Sequence, residues 1–196
     1  MTYEPAAIPD QAQYEPRSGD ALLVIDVQRD FLSGGALAVP QGNRVVPVLN
    51  RYVAEFQRRG LPIVATRDWH PPNHCSFIPH GGRWPPHCVA GTPGAGFADA
   101  LHLPPDVHVV SKATASDHEQ YSAFPESDLA AWLRARRVRR LFAGGLATDY
   151  CVFADVCDAL RNGFEVVVLT DAIAAVDDRD GDAALREMQR LGAVLL

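Results

Sequence analysis

The chain lacks any apolar run long enough to span a membrane, and its opening residues, MTYEPAAIPDQAQYEPRSGD, carry no basic-then-apolar leader pattern. A reducing cytoplasm is the default compartment. Cysteine is scarce: four in 196 residues do not make a disulfide framework, so Cys75, Cys88, Cys151 and Cys157 read as thiols. Positive charge is short as well. Eighteen Lys and Arg against 24 Asp and Glu leave a formal net charge of −6, which argues against a general nucleic-acid or membrane-surface binder. The one basic run, RARRVRR at 134–140, reads as a solvated helix end whose cations complement the dipole. No internal repeat is present. Apolar residues make up 47% of the chain, enough for one well-buried domain and too few residues in all for two. Residues 1–18 read as a loose polar tail, and 19–196 as a single domain.

Strand and helix patterns alternate through that domain. ALLVIDVQ (21–28) is an uninterrupted apolar run, as a parallel strand buried on both faces requires. Val45, Val48, Leu49, Tyr52, Val53 and Phe56 keep helical spacing, with Asn43 as a cap and Gly60 as the stop. LPIVAT, VHVVS, VRRLFAGG, EVVVLT and AVLL supply further strands. ESDLAAWLRARR, capped by Ser127, residues 150–162 and DGDAALREMQRLG supply further helices. The order predicts an α/β sandwich with a mostly parallel sheet. Residues 71–105 fit neither period and hold eight of the 15 prolines; an irregular segment of that length inside a compact domain is usually functional.

That segment begins among histidines. Four of the seven lie between 70 and 87. Asp68 and His70 stand two residues apart at a strand end, so their side chains share a face roughly 6.6 Å apart. His87 can reach the same point from the following loop, and Asp/His/His holds zinc or iron with coordination positions left open. Asp26, Lys112 and Cys151 also fall at strand ends, which parallel topology gathers. Cys151 begins a helix that Thr148 or Asp149 can cap, a position that lowers a thiol's pKa. Asp26, set in an apolar strand, needs a partner, and Lys112 is the obvious one. The double glycine lets a reacting carbonyl approach the backbone. Cys157 reads as core filling, and Cys75 and Cys88 as packing or lining residues. His80, His102, His108 and His118 read as mostly surface, with His74 near enough to line the pocket.

Five motifs, in order from about residue 20 to residue 175, carry a resemblance: IDVQRDFLSGGALAV, TRDWHPPNHCSF, WPPHCVAGTPG, Lys112 followed by YSAF, and GGLATDYCV. Together they resemble the nicotinamidase group of the isochorismatase-like cysteine hydrolase family. The resemblance implies a three-layer α/β/α sandwich around a six-stranded, mostly parallel sheet. It implies hydrolysis of nicotinamide to nicotinate and ammonia through a thioester, serving NAD salvage, with pyrazinamide-like analogues as further substrates. By position, Asp26, Lys112 and Cys151 match the family's catalytic triad, and Asp68, His70 and His87 its metal ligands. Ser76 or His74 contacts the metal or its waters in some members. Leu146–Ala147 falls where the family has a non-proline cis peptide, presenting the Ala147 and Cys151 amides as an oxyanion hole. Phe31, Trp84 and Tyr121 match positions that hold the pyridine ring. The implied cofactor is one divalent metal ion, zinc foremost, with iron or manganese also fitting the donor set. Partners would be the small-molecule substrate and further copies of the chain in a homo-oligomer. Ala113, where glycine is common, and the unfamiliar TASDHEQ after it are departures that bear on the pocket rim. The alternative is a related carboxamide or C–N hydrolase of the same family; a non-catalytic metal-binding domain is the rival from another class.

Overall fold

The computed structural model describes residues 14–196. One sheet organises them, with strand order β3-β2-β1-β4-β5-β6 and every pairing parallel. The strands are β1 (Asp20–Ile25), β2 (Ile63–Asp68), β3 (His108–Lys112), β4 (Arg140–Leu146), β5 (Glu165–Ala174) and β6 (Val194–Leu195). The helices are α1 (Val45–Arg58), α2 (Leu129–Ala135), α3 (Phe153–Arg161) and α4 (Asp178–Arg190). Six strands with helices on both faces make the expected three-layer sandwich.

Every residue of β1 is buried, which explains its unbroken apolar run. Alternation sends Leu22 and Val24 to one face, against Leu49, Val53 and Phe56 of α1. Leu23 and Ile25 go to the other, where Leu133, Val156 and Met188 bring in α2, α3 and α4. Each such side chain, fully buried, contributes roughly 1.5–3 kcal/mol, so the central strand is fixed from both layers.

Local chemistry sets the ends. The N-cap of α2 is Asp128 and not the expected Ser127, which lies one residue earlier and accepts the Leu129 amide at 3.2 Å. Asp177 caps α4 by accepting from Arg179 and Asp180, so that helix starts before the expected Asp180. Asn43 caps nothing; its side-chain oxygen accepts the Ser33 amide at 2.8 Å instead. β1 stops at Ile25, short of the expected residue 28, because Asp26 leaves strand geometry at φ +49°. Residues 71–105 hold only short 3₁₀ turns and isolated bridges, as their proline content requires.

The expected loose tail divides in two. Residues 1–13 lie outside the described residues. Residues 14–18 are tied down: Arg59 donates to the Pro16 carbonyl at 2.6 Å, and Tyr14 packs on the core. Among the described residues no helix is long and apolar enough to cross a membrane.

Gly145 shows how tightly the strand ends are pressed together. It has φ +138°, and a Cβ there would lie 2.0 Å from the Ile25 carbonyl oxygen. Gly145→Ala should lower unfolding stability by at least about 1–3 kcal/mol in urea titration. Gly144→Ala, whose nearest neighbour is the movable Leu49 side chain at 3.0 Å, should cost less. Equal stability of Gly145→Ala and the wild type would refute the close approach.

Candidate active site

The carboxyl ends of β1, β2, β3 and β4 meet where the sheet switches direction, the crevice in which open α/β sheets bind ligands. Asp26 is the first residue past β1. Its left-handed backbone costs about 1–3 kcal/mol in a non-glycine residue and persists only because its surroundings hold it. The Thr66 hydroxyl donates to Asp26 Oδ1 at 2.6 Å, and the Asp26 amide donates to the Thr66 carbonyl at 3.2 Å. Lys112, which closes β3, is buried with Nζ 2.9 Å from Asp26 Oδ2 and 3.3 Å from Cys151 Sγ, and it also donates to Asp68. Cys151 stands in a π-helical turn, Thr148–Val152, between β4 and α3.

Burial decides the proton affinities here. It pushes the Asp26 carboxyl up against the pull of Lys112. It raises the Cys151 thiol well above its ordinary value; Lys112 opposes this, and the Asp26 and Asp68 carboxylates add to it. Burial also disfavours the Lys112 charge, but Asp26 and Asp68 outweigh it and hold the ammonium well above its usual range. The expectation that a helix start depresses this thiol is thus overturned. Desolvation wins, and neither Thr148 nor Asp149 caps the turn. Asp149 instead accepts the Val176 and Asp177 amides, each at 3.0 Å.

Asp68, His70 and His87 come together as expected, each offering a ligand atom within 4.8 Å of the others. The rings are oriented from behind: His70 Nδ1 donates to the Ala113 carbonyl at 3.3 Å, and His87 Nδ1 to the Pro85 carbonyl at 2.8 Å. That leaves each Nε2 with its lone pair free when the ring is neutral. Burial lowers the His87 pKa and so favours the ligating form. His70 Nε2 is buried with no hydrogen-bond partner, 3.7 Å from Asp68 Oδ2. A buried lone pair facing a carboxylate, with no donor, fits a cation. Burial opposes ionisation of Asp68, but Lys112 and His70 outweigh it and keep the carboxyl well below the usual range. His74 is buried beside them, yet Nδ1 pairs with the Ser76 hydroxyl at 2.7 Å and Nε2 donates to the His118 carbonyl at 3.1 Å. Both of its nitrogens are committed elsewhere.

These groups open on a cavity of about 470 Å³, mouth included, that Phe31, Trp84 and Tyr121 line together with Cys151 and Ala147. The Leu146–Ala147 peptide is cis. Trp84 Nε1 donates to the Tyr121 oxygen at 3.2 Å, and Tyr121 donates to Glu119 at 3.2 Å. Tyr150, missed in the sequence, completes the wall with its ring centroid 5.2 Å from that of Trp84. Its position beside Cys151 was the available signal. Gln28 was also missed: its amide accepts the Asp68 N–H and donates to the Asp68 carbonyl, both at 2.8 Å, and donates to the Ala95 carbonyl at 2.9 Å. An amide at the end of an apolar run, needing several partners once buried, could have revealed it. Asp30 accepts the Cys88 amide at 2.7 Å, fixing the backbone beside His87.

A doubly wound sheet with a thiol, an ammonium and carboxylates gathered at its switch point has the build of an α/β hydrolase. The chain belongs to the isochorismatase family, whose isochorismatase domain matches residues 20–196. It is an amide hydrolase, and several of the proteins it resembles are nicotinamidases or pyrazinamidases. The nicotinamidase of Escherichia coli K12 is 39% identical over 198 residues, covering 89% of this chain and 93% of that protein. The pyrazinamidase of Pyrococcus horikoshii, solved in complex with zinc, superposes with a TM-score of 0.88 at 49% identity, covering 91% of this chain and 98% of that one. PnC1 from L. infantum, solved in complex with nicotinate, gives 0.86 at 42% identity, covering 91% and 92%.

Gln28→Leu should leave the Asp68 amide and carbonyl unpaired in a dry interior. The expected loss is about 2–3 kcal/mol of unfolding stability together with weaker divalent-metal binding by calorimetry. Unchanged metal affinity in a folded Gln28→Leu protein would show that Gln28 does not set the Asp68 position.

Proposed function

We propose that the chain hydrolyses nicotinamide to nicotinate and ammonia, with Cys151 as nucleophile, in the service of NAD salvage. The observation that carries this reading is the contact of Lys112 with Asp26, Asp68 and Cys151, which joins a thiol and its base to the Asp68/His70/His87 cluster under an aromatic wall. Asp26, whose burial raises its proton affinity, takes the proton from the Cys151 thiol. The thiolate attacks the carboxamide carbon, and the Ala147 and Cys151 amides receive the oxyanion. Asp26 returns its proton to the departing ammonia. Water then attacks the thioester, giving the acid and restoring the thiol. Lys112 keeps its own proton throughout and balances the negative charge that passes between sulfur and carboxylate.

Asp68, His70 and His87 would hold a single divalent ion, zinc by the chemistry of the set and by the zinc bound in the Pyrococcus horikoshii relative. Such an ion supplies positive charge that a pyridine nitrogen, directly or through water, can meet. Phe31, Trp84, Tyr121 and Tyr150 would grip the flat ring and exclude water, leaving the carboxamide toward Cys151. A ring with a second nitrogen, as in pyrazinamide, suits the same wall.

Ammonia release from nicotinamide, with benzamide as the paired substrate, tests the reading. Metal-replete protein should turn over nicotinamide and hardly touch benzamide, and chelation should abolish the difference. Cys151→Ala should lose about 10³-fold or more in rate while retaining its circular-dichroism spectrum. Substantial turnover by that variant would sink the nucleophile assignment, and equal rates on the two amides would remove the metal's part in reading the ring.

A further inference from the structure

Asp155 lies on α3, four residues beyond Cys151, and is wholly buried. The mechanism above does not use it. Its Oδ1 accepts the Ala123 amide at 2.6 Å, with the Ser122 hydroxyl beside it, and its Oδ2 has no hydrogen-bond partner. The charged groups whose fields reach it are Asp26 and Lys112, and the Lys112 ammonium is already paired with Asp26 and Asp68. An ionised Asp155 would be a third buried carboxylate served by one ammonium, with an oxygen left bare, which is a costly arrangement. Burial, with Asp26 adding to it, pushes its pKa up to about 8, in agreement.

Ala123 belongs to the irregular stretch Tyr121–Phe124, which supplies Tyr121 to the aromatic wall. Gln120 holds one side of that stretch, accepting the Ala113 amide at 3.0 Å and donating to the Pro125 carbonyl at 2.7 Å. Asp155 holds the other. Tyr121 lies with its ring centroid 5.5 Å from Tyr150, the residue before the nucleophile. We propose that Asp155, as a neutral carboxylic acid, is a positioning residue that ties the nucleophile's helix to the Tyr121 segment and so sets the grip on the substrate ring.

This inference rests on the proposed function, and its test separates the two. Asp26 and Lys112 are held by strand ends and Cys151 by the turn after β4, and none of them is bonded to Ala123, so the effect should fall on KM rather than kcat. In ammonia-release kinetics, Asp155→Ala should raise KM about tenfold with kcat within about threefold. Asp155→Asn keeps an acceptor for Ala123 in a neutral group, so it should return KM to within about twofold of wild type with an unchanged pH–rate profile. An unchanged KM in Asp155→Ala would overturn the proposal, as would equal impairment of both variants. A pH–rate profile displaced to lower pH in Asp155→Asn would also overturn it, because a negative charge would then have been removed. If Asp155→Ala does not fold, Asp155→Asn decides alone by the same criteria. A wild type that releases no ammonia fails the proposed function; hydrogen exchange at the Ala123 amide, fast in Asp155→Ala and protected in Asp155→Asn, still decides the role of Asp155.

Discussion

The site depends on one buried ammonium. Lys112 is buried, and its ammonium lies against Asp26, Asp68 and Cys151, which come from the ends of β1 and β2 and the turn after β4. Removing a charge from water costs several kcal/mol, recovered only where paired groups are close and well placed. The pairing therefore draws β1, β2, β3 and the turn after β4 to a common point. It also leaves two carboxylates against one cation, and the surplus negative charge lies at Asp68, beside the unpartnered His70 nitrogen. Burial keeps the Cys151 thiol protonated, with both carboxylates adding to it, and the same surplus of negative charge suits the neighbouring cluster to a cation.

Backbone amides and small polar side chains keep this arrangement rigid. Thr66 fixes Asp26, Gln28 fixes the backbone of Asp68, and Asp30 fixes that of Cys88 next to His87. Each spans residues far apart in sequence and sits at or just past the end of β1 or β2. The irregular segment 71–105 is thereby pinned to the sheet at several points although it has almost no regular structure of its own. A segment so anchored can carry His87 and Trp84 with the accuracy that ligand geometry demands. Gly145 completes the fit, since only a residue without Cβ allows β4 to approach Ile25 so closely at the edge of the site.

Much of this was legible in the chain. The uninterrupted run at β1, the helical spacing from Val45 to Phe56 and the Asp68/His70 pair at a strand end each follow from local periodicity, which depends only on near neighbours. The closeness of Asp68, His70 and His87 could be read because histidine is scarce and four of the seven copies crowd between residues 70 and 87. The acid–base state of Cys151 could not. A helix-start argument predicted a depressed pKa, whereas burial and two nearby carboxylates raise it. Asn43, Thr148 and Asp149 failed as caps for a related reason: each short polar side chain fits the local rule, but Asn43 and Asp149 found partners in distant loops.

By itself, the sequence determined the alternation of strands and helices, the crowding of histidines after Asp68 and the presence of a thiol, a lysine and a carboxylate near strand ends. Those are properties of composition and short-range spacing. Only the tertiary structure decided that Lys112 touches all three of its partners, that Gln28 and Asp155 are buried anchors rather than surface polar groups, and that Tyr150 joins the aromatic wall. Desolvation and pairing depend on which distant segments pack together, and that information belongs to no local stretch of chain.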